Sequence, residues 1–94
     1  MKSRDLFSLE NKVIVVTGAT GVLGESFALA IAEAGAKVAI LGRNEEKANQ
    51  RVKAITESGG EAIAVITDVL DETALIAAKN QILSTWGTID GLVN

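Results

Sequence analysis

Glycines fall at positions 18, 21 and 24 in the string Thr17-Gly18-Ala19-Thr20-Gly21-Val22-Leu23-Gly24, directly after a β-branched run and at the start of a helical pattern. A turn free of side chains lets backbone N–H groups approach a pyrophosphate, and the positive end of a helix dipole adds to the field there. Gly24 would also let the helix pack closely on the strand before it. Gly18, Thr20, Gly21, Val22, Leu23 and Gly24 are therefore candidate dinucleotide-binding positions. The competing explanation is a turn with a packing role and no ligand. It is the poorer one, because three glycines in one turn cost conformational entropy that packing alone rarely demands. The spacing by itself is a weak signal. A strand before it, a helix after it and a second strand beyond make it a strong one.

The elements that must position this turn are legible along the chain. Residues 12–17, 36–41, 62–67 and 89–93 are short runs rich in Val, Ile and Ala, apolar on both faces, as strands covered by helices on both sides require. Three helical patterns lie between them. The first, over 22–34, carries Leu23, Phe27, Ala30, Ile31 and Ala34 at three-to-four spacing, with Gly35 placed to end it. The second, over 45–57, has Asn44 as N-cap and Glu45 and Glu46 in its first turn; Gly59-Gly60 closes it. The third, over 72–86, is capped by Asp71, carries Leu75, Ala78, Ile82 and Trp86 on one face, and stops at Gly87. The order β-α-β-α-β-α-β with right-handed crossovers predicts a doubly wound α/β fold, its parallel sheet ordered 3-2-1-4. Trp86 reads as a core anchor at a helix end and Asp90 as a structural charge at a strand start.

Composition narrows the chemistry. The 94 residues include no Cys and no His, which excludes a disulfide scaffold, a thiolate metal site, a cysteine nucleophile and a Ser-His-Asp triad. Nine basic residues against twelve acidic ones leave a net charge of −3, and the basic residues are scattered, so nucleic acid is not an expected partner. No apolar run approaches the roughly 20 residues that a bilayer demands. Asp5, Glu10 and Asn11 interrupt any signal-peptide stretch, so a cytoplasmic location is expected.

From about Leu9 to Asn94 the sequence resembles the short-chain dehydrogenase/reductase family. The resemblance rests on NKVIVVTGATGVLG, GAKVAILGRNEEK, the Asp68-Val69 pair and the closing GTIDGLVN. It implies an NAD(P)-dependent oxidoreductase on a Rossmann sheet, interconverting an alcohol and a carbonyl. The family's common turn is TGxxxGxG, with Gly where Val22 stands; GxxGxxG looks like the longer, sugar-nucleotide-modifying members. TGxxGVLG together with the downstream strings resembles the mannonate (fructuronate) oxidoreductase subgroup, which suggests a sugar acid as substrate. In the family the Asp matching Asp68 hydrogen-bonds the adenine amino group, helped by the backbone of the residue matching Val69. Asn94 stands where the family's Asn-(Asn/Ala)-Ala-Gly motif begins. The resemblance thus adds Asp68, Val69 and Asn94 to the cofactor site. A plain loop Asp capping backbone N–H groups is the alternative for Asp68.

Cofactor choice is read at the end of the second strand. A carboxylate there would accept from the ribose 2′-hydroxyl of NAD and repel a 2′-phosphate. This chain has Gly42, Arg43 and Asn44 instead. Arg43 is a planar fork suited to phosphate, and nothing acidic at the strand end blocks it, so NADP is the preferred cofactor and NAD the second. Glu45 and Glu46 lie near enough to weaken that preference.

The family's reaction uses a Tyr as general acid/base, a Lys four residues later and a Ser. The chain has no Tyr, so no YxxxK exists in it, and Ser26, Ser58 and Ser84 fall in the wrong elements. No catalytic residue and no metal ligand is assigned. A doubly wound sheet normally continues past its fourth strand. Residues 1–94 are therefore expected to be the N-terminal, cofactor-binding part of a larger protein, a homo-oligomer, with an open edge at the fourth strand and self-association of the isolated piece. Two other readings remain: a nucleotide-sugar epimerase or dehydratase, favoured by the GxxGxxG turn, and a non-catalytic dinucleotide-binding module.

Overall fold

The computed structural model describes residues 9–17 and 22–93; of residues 22–25 it describes the backbone only. The elements are β1 (Val13–Thr17), α1 (Val22–Glu33), β2 (Lys37–Gly42), α2 (Glu45–Glu57), β3 (Glu61–Ile66), α3 (Glu72–Trp86) and β4 (Gly91–Val93). All strand pairs are parallel and the order is β3-β2-β1-β4, as the sequence predicts.

Alternation along the strands divides the core in two. Val16, Val38, Ile40 and Ala62 face α1 and α2, where Ala28, Ile31, Ala32, Ala48 and Ile55 meet them. Val13, Val15, Ala39, Leu41 and Val65 face the other way, onto Ala78 and Ile82 of α3. The central strands are thus buried on both faces, which is why their sequences are continuously apolar. Ile40, Ile55 and Ile82 are almost wholly excluded from solvent, and each such side chain contributes roughly 1.5–3 kcal/mol.

The caps fall where the sequence predicts them. Asn44 Oδ1 accepts from the Lys47 N–H at 2.9 Å, and Asp71 Oδ1 accepts from the Ala74 N–H at 3.1 Å. Gly35 ends the first helical segment at φ 103°; a Cβ there would lie 2.9 Å from the Glu10 Cα, so only glycine fits both the conformation and the space.

Three expectations need correction. The apolar face of α1 is not the stripe through Phe27 and Ala30. Phe27 is 52% exposed and Ala30 faces solvent, while Ala28, Ile31 and Ala32 carry the packing. Small residues let the helix sit close to the sheet, and the larger ring is left outside. The third helix is anchored by Ala78, Ile82 and the half-buried Trp86, as expected, but Leu75 is 38% exposed. The fourth strand is shorter than expected, beginning at Gly91 rather than at residue 89.

Leu75, Ile76 and Leu92 are exposed and, with Val15, Leu41, Lys79, Ile82 and Ile89, line an open apolar cleft of about 400 Å³ between α3 and β4. Among the described residues no helix is long and apolar enough to cross a membrane.

Candidate functional site

Parallel strands place all their C-terminal ends along one edge of the sheet, and the register sets them level. Thr17 lies opposite Leu41, and Gly42 opposite Ile66. The ladder extends one residue past β3, because the Thr67 N–H donates to the Gly42 carbonyl at 2.9 Å. Arg43 and Asp68 follow those two residues, so they emerge side by side. Arg43 Nη1 lies 3.9 Å from Asp68 Oδ2. The Arg43 side chain is 75% exposed and that of Asp68 43%, so the pair is solvent-screened and contributes little to stability.

The Asp68 carboxylate is held by its own turn. Oδ1 accepts from the Leu70 N–H at 2.9 Å, and the Asp68 carbonyl accepts from the Asp71 N–H at 3.0 Å. The alternative weighed for Asp68, a loop Asp satisfying backbone N–H groups, therefore describes one of its oxygens. The other is directed at Arg43. Val69 sits exposed in the same turn.

Asn44 is the α2 cap, so its carboxamide oxygen is engaged locally. The NH₂ group remains as a donor for a ligand at Arg43. Of the glycine string, Val22, Leu23 and Gly24 form the first residues of α1, which begins four residues after β1 ends. Gly18, Thr20 and Gly21, and also Asn94, lie outside the described residues.

Thr67 is a position that the sequence reading passes over. Its hydroxyl is buried and has no hydrogen-bond partner among the described residues. A polar residue closing an otherwise apolar strand was the available signal. A buried hydroxyl left unsatisfied is unusual. Arg43 and Asp68 supply a donor and an acceptor at this end of the sheet.

A model of the short chain dehydrogenase family matches residues 12–94. The chain belongs to that family. Among its curated relatives, this short chain dehydrogenase sequence is 47% identical over 87 residues to UxuB, an uncharacterized oxidoreductase of Bacillus subtilis, covering 93% of this chain and 31% of that protein. It superposes with a TM-score of 0.90, at 40% identity, on a Haemophilus influenzae protein assigned as a D-mannonate oxidoreductase with bound NAD, covering 97% of this chain and 32% of the other. A metagenomic short-chain oxidoreductase in complex with NADP gives a TM-score of 0.84 at 31% identity, over 88% of this chain and 38% of that one. The chain spans about a third of the length of the relatives it matches. The fold reading and the family resemblance both hold, and the match to a D-mannonate oxidoreductase agrees with the subgroup suggested by TGxxGVLG.

Proposed function

We propose that this chain is the cofactor-binding part of an NAD(P)-dependent oxidoreductase that interconverts an alcohol and a carbonyl on a sugar acid. The observation that carries the reading is the convergence of Arg43 and Asp68 at the end of the sheet where β1 also ends, before α1 begins. The N-terminus of α1 and the glycine backbone would hold the pyrophosphate. Asp68, the Val69 backbone and Asn94 would hold the adenosine half. The bound dinucleotide supplies the hydride chemistry, and these residues fix its position. The sugar-acid substrate is supported by the likeness to the protein assigned as a D-mannonate oxidoreductase. A cytoplasmic homo-oligomer is the form we propose for the intact protein.

NADP(H) is the preferred cofactor in this reading, because Arg43 stands at the end of β2 where a carboxylate would favour NAD. Relatives with NAD and with NADP both exist, so the preference belongs to the local residues and not to the fold. Fluorescence titration of the intact protein with NADPH and NADH tests this. Tighter NADPH binding is expected, with a selective loss of about tenfold in Arg43→Ala, the lower end for a charge-assisted hydrogen bond at an exposed site. Equal affinities, or an equal loss for both cofactors, would remove Arg43 from the site.

A further inference from the structure

Arg43 does not meet an incoming ligand as a free cation. Its guanidinium lies 3.9 Å from Asp68 Oδ2. Asp68 Oδ1 is occupied by the Leu70 N–H, which fixes the carboxylate in its turn and leaves Oδ2 as the oxygen available to Arg43. Glu45 and Glu46 stand in the first turn of α2, but among the described residues Asp68 is the carboxylate that reaches ion-pair distance of Arg43.

We propose that Asp68 is a specificity-determining counter-charge that competes with a 2′-phosphate for the Arg43 guanidinium and so limits the preference for NADP(H) over NAD(H). The inference rests on the reading of Arg43 as the 2′-phosphate contact. A phosphate carrying more than one negative charge must displace or share the guanidinium with Asp68 and is repelled by that carboxylate. A ribose 2′-hydroxyl is neutral and donates a hydrogen bond to a carboxylate without penalty. Two residues of opposite charge, set side by side by the β2–β3 register, therefore pull cofactor choice in opposite directions. Any contact of Asp68 with the adenine is common to both cofactors and cancels in the ratio of their affinities.

The test is a cycle of four intact proteins: wild type, Arg43→Ala, Asp68→Asn and the double variant, each titrated with NADPH and NADH by fluorescence. Asp68→Asn keeps an oxygen that can accept from the Leu70 N–H, removes the charge and puts an NH₂ donor in place of the second oxygen. Asp68→Ser, whose hydroxyl also accepts from a backbone N–H two residues on, serves as a second uncharged variant. The expected result is a rise of about threefold to fivefold in the NADPH-to-NADH affinity ratio in Asp68→Asn, the size of one exposed ion pair. That rise should vanish when Arg43 is already Ala. An unchanged or lowered ratio in both uncharged variants, with Arg43→Ala still selective, overturns the role of Asp68 and leaves Arg43 standing. An equal rise in both backgrounds overturns competition for the guanidinium. No selectivity loss in Arg43→Ala removes the reading of Arg43 on which the inference stands.

Discussion

Val13 and Asp90 exchange two hydrogen bonds at the end of the sheet opposite the candidate site. The Asp90 N–H donates to the Val13 carbonyl at 2.8 Å, and the Val13 N–H donates to Asp90 Oδ2, also at 2.8 Å. The carboxylate thus completes the β1–β4 ladder where β4 itself has not begun. As a charge it guards no outer edge; it is turned inward onto β1. Asp90→Ala leaves the Val13 N–H without its partner and is expected to destabilise the intact protein by about 1–3 kcal/mol, with Asp90→Asn recovering much of it. Dinucleotide affinity should stay at the wild-type value, because the pair lies a strand's length from Arg43. Chemical denaturation with a parallel cofactor titration checks both. A stable Asp90→Ala protein would show that the N–H finds another partner.

Asn44 offers a separation of capping from ligand contact. Asn44→Ala removes the acceptor for the Lys47 N–H and should cost about 1 kcal/mol. Asn44→Asp keeps the cap but adds a negative charge next to Arg43. It should hold its denaturation midpoint near wild type while lowering NADPH affinity more than NADH affinity. Equal effects on the two cofactors would limit Asn44 to the helix.

How much of this was legible in the sequence depends on the kind of signal. Helix limits and caps were readable because Asn44, Asp71 and Gly87 act within a few residues of chain, where residue type determines the hydrogen bond, and strand order because alternating strands and helices with right-handed crossovers admit few arrangements. The outward placement of Phe27 was not, because a stripe of mixed Ala and Phe on α1 shows period without saying which side the sheet occupies. The nearness of Arg43 to Asp68 was also hidden. They are far apart in sequence, and only the β2–β3 register brings them to 3.9 Å. That the Thr67 hydroxyl finds no partner among the described residues is likewise a property of packing, invisible in composition.

The apolar cleft between α3 and β4 bears on assembly. Ile76 is 53% and Leu92 64% exposed, and among the described residues β4 pairs on its β1 side alone. Burying such surface yields about 25 cal/mol per Å², and a free strand edge invites a further strand. The 94-residue chain by itself is expected to self-associate at micromolar concentration, and Ile76→Lys with Leu92→Lys should weaken that association. Light scattering measures it. A well-folded monomer with protected amides at Leu92 and Val93 would contradict the expectation.

The most direct measurement is dinucleotide binding to the intact protein with and without a Cβ in the glycine turn. Gly21 stands between β1 and α1, where backbone N–H groups must approach the pyrophosphate unobstructed. NADPH and NADH are titrated by fluorescence into the wild type and Gly21→Val, with circular dichroism confirming that the variant is folded. The account predicts saturable binding by the wild type and loss of both cofactors in the folded variant. A folded Gly21→Val protein that binds either dinucleotide with wild-type affinity would contradict it.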